Sequence, residues 1–359
     1  MTARLPLDPG TRPAPQEDPD VMTAEPRPFT VLQSFPEPRE TTNPYVVLLR
    51  DALERTPGTR VLTFSWRHAL TARYDAFHAH WPEVWVDGNN PLKKLARQAL
   101  FALFLVRLRI TRVPVVRTVH NLELPEGLTR RQTVLLRWAE RATALRIRIN
   151  GTTEVEGDAP VETVLHGHYR DWYAPHPRRR RRPGRLAFVG QVRRYKGVES
   201  LVAAFAETSD PGLSLRIAGR PTSDELADQL TAAAADPRIS LSLQFLPDAD
   251  LVAEVSEAEL VVLPYREMHN SGGALAALSL GTPVLVPDNE ATRDLAAEVG
   301  PGWVHTFTPP LTGADLEGTV ARLRTSPPAD PPDLSRREWD GAGRAHLAAY
   351  RRARAALRG

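Results

Sequence analysis

The feature that most restricts this chain is an alternation that runs, stops once and starts again. From Phe29 to Asn150, short apolar runs alternate with longer segments of helical composition. A proline-bounded stretch, Pro175–Gly184, then breaks the pattern with five consecutive arginines, Arg178 to Arg182. The alternation resumes at Arg185. Strands are expected at FTVLQS (29–34), RVLTFS (60–65), DAFHAH (75–80), VPVVRTVH (113–120) and ALRIRIN (144–150), with helices over 44–54, 91–109 and 128–142. After the break, strands are expected at RLAFVG (185–190), LSLRIAG (213–219), LSLQFL (241–246), ELVVLP (259–264) and TPVLVP (282–287), with helices over 198–207 and 224–234. Strands interleaved with helices build open α/β sheets, not the evenly spaced short strands of an all-β domain. A pattern that restarts implies two such sheets facing a cleft.

The expected division follows. Residues 1–27 form a flexible, proline-rich leader, 28–174 a first domain and 175–184 an exposed basic linker whose like charges resist burial. A second domain occupies 185–330, and 331–359 forms a terminal segment whose basic amphipathic helix spans about 339–357. A length of 359 residues accommodates two ordinary domains. Cysteine is absent, which removes disulfides, thiol catalysis and cysteine-ligated zinc. The leader has no apolar core of the signal-peptide kind.

Net charge is only +3, so the chain as a whole is no polycation and no specific nucleic-acid partner is expected. The local distribution is more telling. Lys93, Lys94, Arg97, Arg107, Arg109, Arg112 and Arg117 fall in a stretch without a single acidic residue. Its central ALFALFLV is too short to span a bilayer. As part of a helix it suits either core packing or attachment to an anionic membrane surface.

Two segments carry the chemistry of an anion site. In FVGQVRRYKGVESLVAAF a strand ends at Gly190, a turn presents Arg193, Arg194 and Lys196, and a helix begins near Gly197. Backbone donors and cations gathered at a helix start suit a diphosphate. In ELVVLPYREMHNSGGALAALSLGTPVLVP an apolar strand leads through Glu267 and Asn270 to Ser271, Gly272 and Gly273. Ser271 is a helix-cap residue, and the glycines permit close approach of backbone to a ligand. A solvated basic loop and an ordinary strand-to-helix turn would account for either segment taken alone.

Taken together and in this order, with the terminal REWDGAGRAHLAAYRRA, these segments resemble the GT4-like glycosyltransferases of GT-B fold across most of residues 28–357. The resemblance implies an α/β fold of two Rossmann-like domains facing an interdomain cleft. It also implies a GDP- or UDP-sugar donor and no required metal. Lys196 becomes the donor-phosphate cation; Gln191 stands where the family usually has arginine, so Arg193 or Arg194 compensates. Gly190 shapes the turn, and Ser271, Gly272 and Gly273 face the pyrophosphate. Arg220, Phe245, Leu246 and Pro247 are base- or ribose-side candidates. The common acidic pair is missing: Met268 and Ala276 occupy its positions, with Glu267 one residue away.

In the first domain, FHAHWPE and RTVHN place His78, His80, Trp81, Glu83 and His120 near strand ends, where loops of an open sheet form a crevice. The resemblance makes His120 an active-site histidine that orients the transferring sugar. His80 is a further acceptor-side candidate. Inverting transfer needs a general base, for which Glu83 and Asp75 are the candidates. The expected activity is sugar transfer to a glycolipid, polyprenyl-linked or polysaccharide acceptor in the cytoplasm, at the inner face of the cell membrane. Nucleotide-sugar epimerisation, or nucleotide or glycan binding with little transfer, are the alternatives.

Overall fold

The computed structural model describes residues 27–358 apart from Asn89, 122–126, Glu156, Glu267 and His269. The leader expected over residues 1–27 thus lies outside the described residues, save Arg27. The first half runs β1 (Phe29–Gln33), α1 (Pro44–Arg55), β2 (Thr59–Leu62), α2 (Trp66–Thr71), β3 (Ala76–Ala79), α3 (Pro91–Ile110), β4 (Val115–Val119), α4 (Arg130–Arg141), β5 (Thr143–Arg148) and β6 (Val161–Thr163). A short helix, α5 (Arg170–Tyr173), lies in the connection. The second half runs β7 (Arg185–Val189), α6 (Val198–Ala206), β8 (Ser214–Ala218), α7 (Asp224–Ala233), β9 (Ile239–Ser242), α8 (Asp248–Glu257), β10 (Leu260–Val262), α9 (Gly272–Ser279), β11 (Val284–Pro287), α10 (Glu290–Val299), β12 (Val304–Phe307) and α11 (Gly313–Thr325). The terminal helix is α12 (Trp339–Ala356).

Among the described residues all strand pairings are parallel, in two six-stranded sheets ordered β2-β1-β3-β4-β5-β6 and β12-β11-β10-β7-β8-β9. Each sheet reverses its winding direction once, between β1 and β3 and between β7 and β10. Ligands of open α/β sheets bind at such reversals, beyond the carboxyl ends of the strands.

Period-two alternation sorts side chains onto the two faces of the first sheet. Val31 joins Tyr45, Leu49, Ile147 and Tyr350 on one face, while Leu32 joins Phe77, Phe101 and Phe104 on the other. The first face is covered by α1 and α12, so the terminal helix returns to the first domain. Gly343 makes that contact possible: a Cβ there would lie 2.6 Å from Thr56 Oγ1 and 2.7 Å from the Ala52 carbonyl oxygen. The returning chain is fastened by Arg337, which pairs with Glu298 at 2.7 Å and donates to the His166 carbonyl at 3.1 Å.

Three expectations shift in detail. LSLQFL begins too late, because β9 is set by its pairing with β8 and ends at Ser242. The ALFALFLV run does not form one exposed face: Phe101, Phe104 and Leu105 enter the core. The solvent-facing apolar stripe of α3 is instead Leu92, Leu95, Leu103, Val106 and Ile110. The arginine run is exposed yet tethered. Arg178 and Arg181 donate to the carbonyls of Leu280 and Gly281 at the end of α9, and Arg179 and Arg182 pair with Glu257. Cations at a helix carboxyl end offset part of their mutual repulsion.

Candidate active site

The winding reversal of the second sheet brings the ends of β7 and β10 together. Gly190, with φ +124°, ends β7, and its carbonyl would be only 1.9 Å from a Cβ at Gly219. Two glycines are needed where these backbones touch. The chain then makes a single 3-10 turn, Arg194–Lys196, that ends at Gly197 with φ +63°. A Cβ at Gly197 would sit 2.3 Å from the Pro264 carbonyl oxygen, so this glycine presses the turn against the end of β10.

Lys196 is thereby held over the Tyr265 ring, its Nζ 5.5 Å from the centroid. Burial, with Arg193 nearby, lowers its pKa to about 8. Arg193 bonds Gln191 at 2.8 Å. Neither cation is paired with a carboxylate among the described residues, which suits an anionic ligand. Arg194 does not join them: it turns to Glu225 and Gln229 of α7, 3.2 Å from each, because the 3-10 turn points it away from the cleft.

Across this site α9 begins at Ser271, whose Oγ accepts from Ala274 N at 3.1 Å. The cap leaves the first amides of α9 directed at the cleft. Gly272 lies against the connection between the domains, where a Cβ would be 3.2 Å from Tyr169 Oη and 4.0 Å from His166 Nε2. Asn270 accepts from Asn150 Nδ2 at 2.6 Å, joining the donor loop to the end of β5. Met268 and Ala276 are both buried, so the positions of the missing acidic pair pack into the core. Glu267 lies outside the described residues. A cleft of about 800 Å³ opens beside this loop, between Asn150 and Thr152 on one wall and Asp294, Glu298 and Arg336 on the other.

The first sheet contributes rings. His120 follows β4 and is half-buried, stacked on Trp81 at 4.3 Å and 20°. Tyr45 stands edge-on to it at 5.1 Å and also packs on His166 at 4.7 Å. A contact path of His120, Tyr45 and His166 therefore leads to Gly272 of the donor loop. Burial is the largest cause holding His120 down to about 3 and His166 to about 4. Both rings are neutral at physiological pH.

His80 is on the same strand face as His78, with ring centroids 4.2 Å apart. It is buried behind His120, to which its Nδ1 is bonded at 3.1 Å, and so does not itself reach the cleft. Glu83 sits in a 3-10 turn after β3, half-buried, and burial raises its pKa above the usual 4.5. Asp75 must be removed from the acceptor side. It precedes β3, at the amino ends of the strands and away from the cleft, where it accepts from Thr30 N at 2.8 Å and pairs with Arg27 and Arg354. Its carboxylate anchors the start of the domain and α12.

A family model described as "Glycosyl transferases group 1" matches residues 183–315. The GDP-mannose:glycolipid 4-beta-D-mannosyltransferase of Xanthomonas campestris pv. campestris is 45% identical over 328 residues, covering 91% of this chain and 93% of that protein. The chain belongs to the GT-B glycosyltransferases related to the GT4-like sugar transferases. It is a nucleotide-sugar-dependent transferase. The fold is shared with Anabaena Alr3699/HepE, solved in complex with UDP-glucose, at 14% identity and TM-score 0.59 over 91% of this chain and 98% of that one. It is also shared with WaaG, a glycosyltransferase of lipopolysaccharide biosynthesis, at 13% identity and TM-score 0.53 over 92% and 100%.

Among the described residues, no cluster of three or more His, Asp or Glu is arranged to hold a metal ion, and no helix is long and apolar enough to cross a membrane. Several residues around the candidate site are not legible in the sequence. Asn150 and His166 carry no motif, and tertiary packing alone brings them beside Asn270 and Ser271, with Tyr45 and Tyr169 packed on His166. Gln33 and Tyr350, 317 residues apart, meet at 3.4 Å. The alternation of His78 and His80 was the one available signal for a buried polar cluster.

Proposed function

We propose that this transferase moves mannose from GDP-mannose to a glycolipid acceptor, with inversion at the anomeric carbon. The observation that carries this reading is the 45% identity, over nearly the full length of both chains, to a GDP-mannose:glycolipid 4-beta-D-mannosyltransferase. The mannose of GDP-mannose is α-linked, so a β-linked product requires attack from the opposite face.

Glu83 is assigned as general base. It is the candidate carboxylate on the cleft edge of the first sheet, and its raised pKa suits proton uptake. The acceptor oxygen bonds to C1 of mannose while its proton passes to Glu83. The bond between C1 and the diphosphate oxygen breaks, and GDP leaves with the electron pair. Lys196, Arg193 and the amides at the start of α9 stabilise the charge that develops on the diphosphate. His120 orients the sugar from its stack on Trp81. The 40 kDa chain needs no metal in this scheme, since cations and amides neutralise the leaving group.

The acceptor's lipid suggests where the enzyme works. The α3 stripe of Leu92, Leu95, Leu103, Val106 and Ile110 is exposed and flanked by Lys93, Arg97, Arg109 and Arg112. An apolar face beside cations, of which Lys94 alone pairs with an acid, Asp87, among the described residues, fits the interface of an anionic bilayer. This supports peripheral attachment on the cytoplasmic side of the cell membrane.

The test combines a nucleotide-sugar panel with lipid-linked acceptors, following nucleotide release and product linkage by NMR. GDP-mannose should be the preferred donor and the product β-linked. An α-linked product would remove both inversion and the role of Glu83. Mannose isomerised without an acceptor would instead establish epimerisation. Flotation with anionic vesicles should retain the wild type and lose the protein in which Lys93, Arg97, Arg109 and Arg112 are changed to Gln. Equal partitioning of the two folded proteins would exclude α3 as the attachment face.

A further inference from the structure

Behind His120 lies a chain of hydrogen bonds that the transfer step does not itself use. His120 Nε2 is 3.1 Å from His80 Nδ1, and His80 Nε2 is 3.2 Å from Gln33 Oε1. Gln33 Nε2 is 3.4 Å from Tyr350 Oη, which is 2.7 Å from His78 Nδ1. His78 Nε2 ends the chain 2.7 Å from Thr118 Oγ1. Gln33, His78, His80, Thr118 and Tyr350 are all buried. Burial holds the three imidazoles neutral, so each has one N–H and one lone pair to place.

Gln33 is the member whose two ends are chemically distinct, since its oxygen only accepts and its nitrogen only donates. With Oε1 toward His80, the proton of His80 must be on Nε2. Its Nδ1 then accepts, so His120 donates from Nε2 and keeps a lone pair on Nδ1. On the other side, Gln33 Nε2 donates to Tyr350, the Tyr350 hydroxyl donates to His78 Nδ1, and His78 Nε2 donates to Thr118. Rotating the amide by half a turn would reverse every bond and put the proton of His120 on Nδ1. Because the members are coupled, the amide cannot rotate alone without losing partners in a site closed to water.

We propose that Gln33 is a positioning residue that sets the tautomer of His120, keeping its Nδ1 as an acceptor for a sugar hydroxyl, and that Tyr350 couples Gln33 to His78 and Thr118. Tyr350 belongs to α12, so the returning helix does more than close the fold: it completes the chain that prepares the acceptor side. The proposal rests on the reading of His120 as the residue that orients the sugar.

The experiment is a long-range proton–nitrogen NMR spectrum of the histidine-labelled full-length protein, with kinetics on GDP-mannose. In the wild type, His120 and His80 should each show one tautomer, with the proton on Nε2. Gln33→Met should give His120 as a mixture of tautomers. It should lower kcat by about 2- to 5-fold with KM changed little, less than the loss expected of His120→Ala, because a mixture still holds the competent tautomer part of the time. Tyr350→Phe removes one hydroxyl and keeps the ring, and should produce a mixture with less of the second tautomer and a correspondingly smaller loss of kcat. A His120 that remains a single tautomer in both variants, or that carries its proton on Nδ1 in the wild type, would overturn the proposal. The spectra need no substrate, so they stand apart from the choice of donor: full activity of His120→Ala would instead overturn the reading of the site.

Discussion

At the end of β7, where the proposed function puts the diphosphate, stand a bent backbone and two cations, whereas the ends of β1, β3 and β4 present neutral rings. The first wall is built for charge. Gly190, Gly197 and Gly219 let the turn close up, and Lys196 is left with an aromatic face and no counter-ion among the described residues. The second wall is built for direction. His120 is held by Trp81, Tyr45 and His80, and burial keeps all three neighbouring imidazoles uncharged. A diphosphate is recognised by any well-placed positive field, so few residues suffice. Orienting one hydroxyl against an anomeric carbon needs a fixed donor and acceptor order, which takes a network.

The contrast can be broken in four places. Glu83→Gln should have the largest effect, lowering kcat by about 10²- to 10⁴-fold, the usual range for a general base, with donor affinity retained. The sign of its pH dependence is fixed: the base must be ionised, so kcat/KM rises with pH through an apparent pKa above the ordinary glutamate value, and that limb disappears in Glu83→Gln. A variant with the wild-type profile would take the base away from this wall.

Lys196→Ala comes next, with kcat/KM reduced by about 10²- to 10³-fold, comparable to removing one preorganised donor from a developing negative charge. Here GDP affinity should fall as well, measured by calorimetry, which distinguishes the charged wall from the neutral one. His120→Ala should lower kcat by about 10- to 100-fold with GDP affinity unchanged. If His120→Ala weakens GDP binding as much as Lys196→Ala, the division of labour between the walls is wrong.

The smallest effect is on stability. His78, His80, His120, His166 and His346 all have pKa values pulled below the usual 6.5 by burial. Between pH 6.5 and about 4 the unfolded chain takes up protons that the folded chain refuses, so stability present above that window is lost as pH falls. The melting temperature should drop by about 10 °C across it. The loss should be felt first by probes in the first domain, where the cluster lies. Uniform melting across both domains with no pH slope in this window would show that the cluster admits protons while folded.

Much of the donor wall was legible in the sequence because its parts are local. A glycine after a strand, a lysine before a helix and a serine cap followed by two glycines carry their backbone consequences with them. The acceptor wall was legible only at its edge. The spacing of His78 and His80 placed them on one face, but not that His80 stands behind His120. Asp75 illustrates the same limit: one residue before β3 puts it at the amino ends of the strands, away from the cleft, where Arg27 and Arg354 hold it.

By itself the sequence determined the α/β alternation, its single interruption, the turn that carries Lys196 and the cap at Ser271, since each follows from residues close in the chain. The tertiary structure alone decided that Tyr350 reaches Gln33, that Tyr45 joins His120 to His166, and that Arg194 turns away while Lys196 stays. These outcomes depend on how two sheets and a returning helix pack, and no local propensity encodes a contact between residues 317 positions apart.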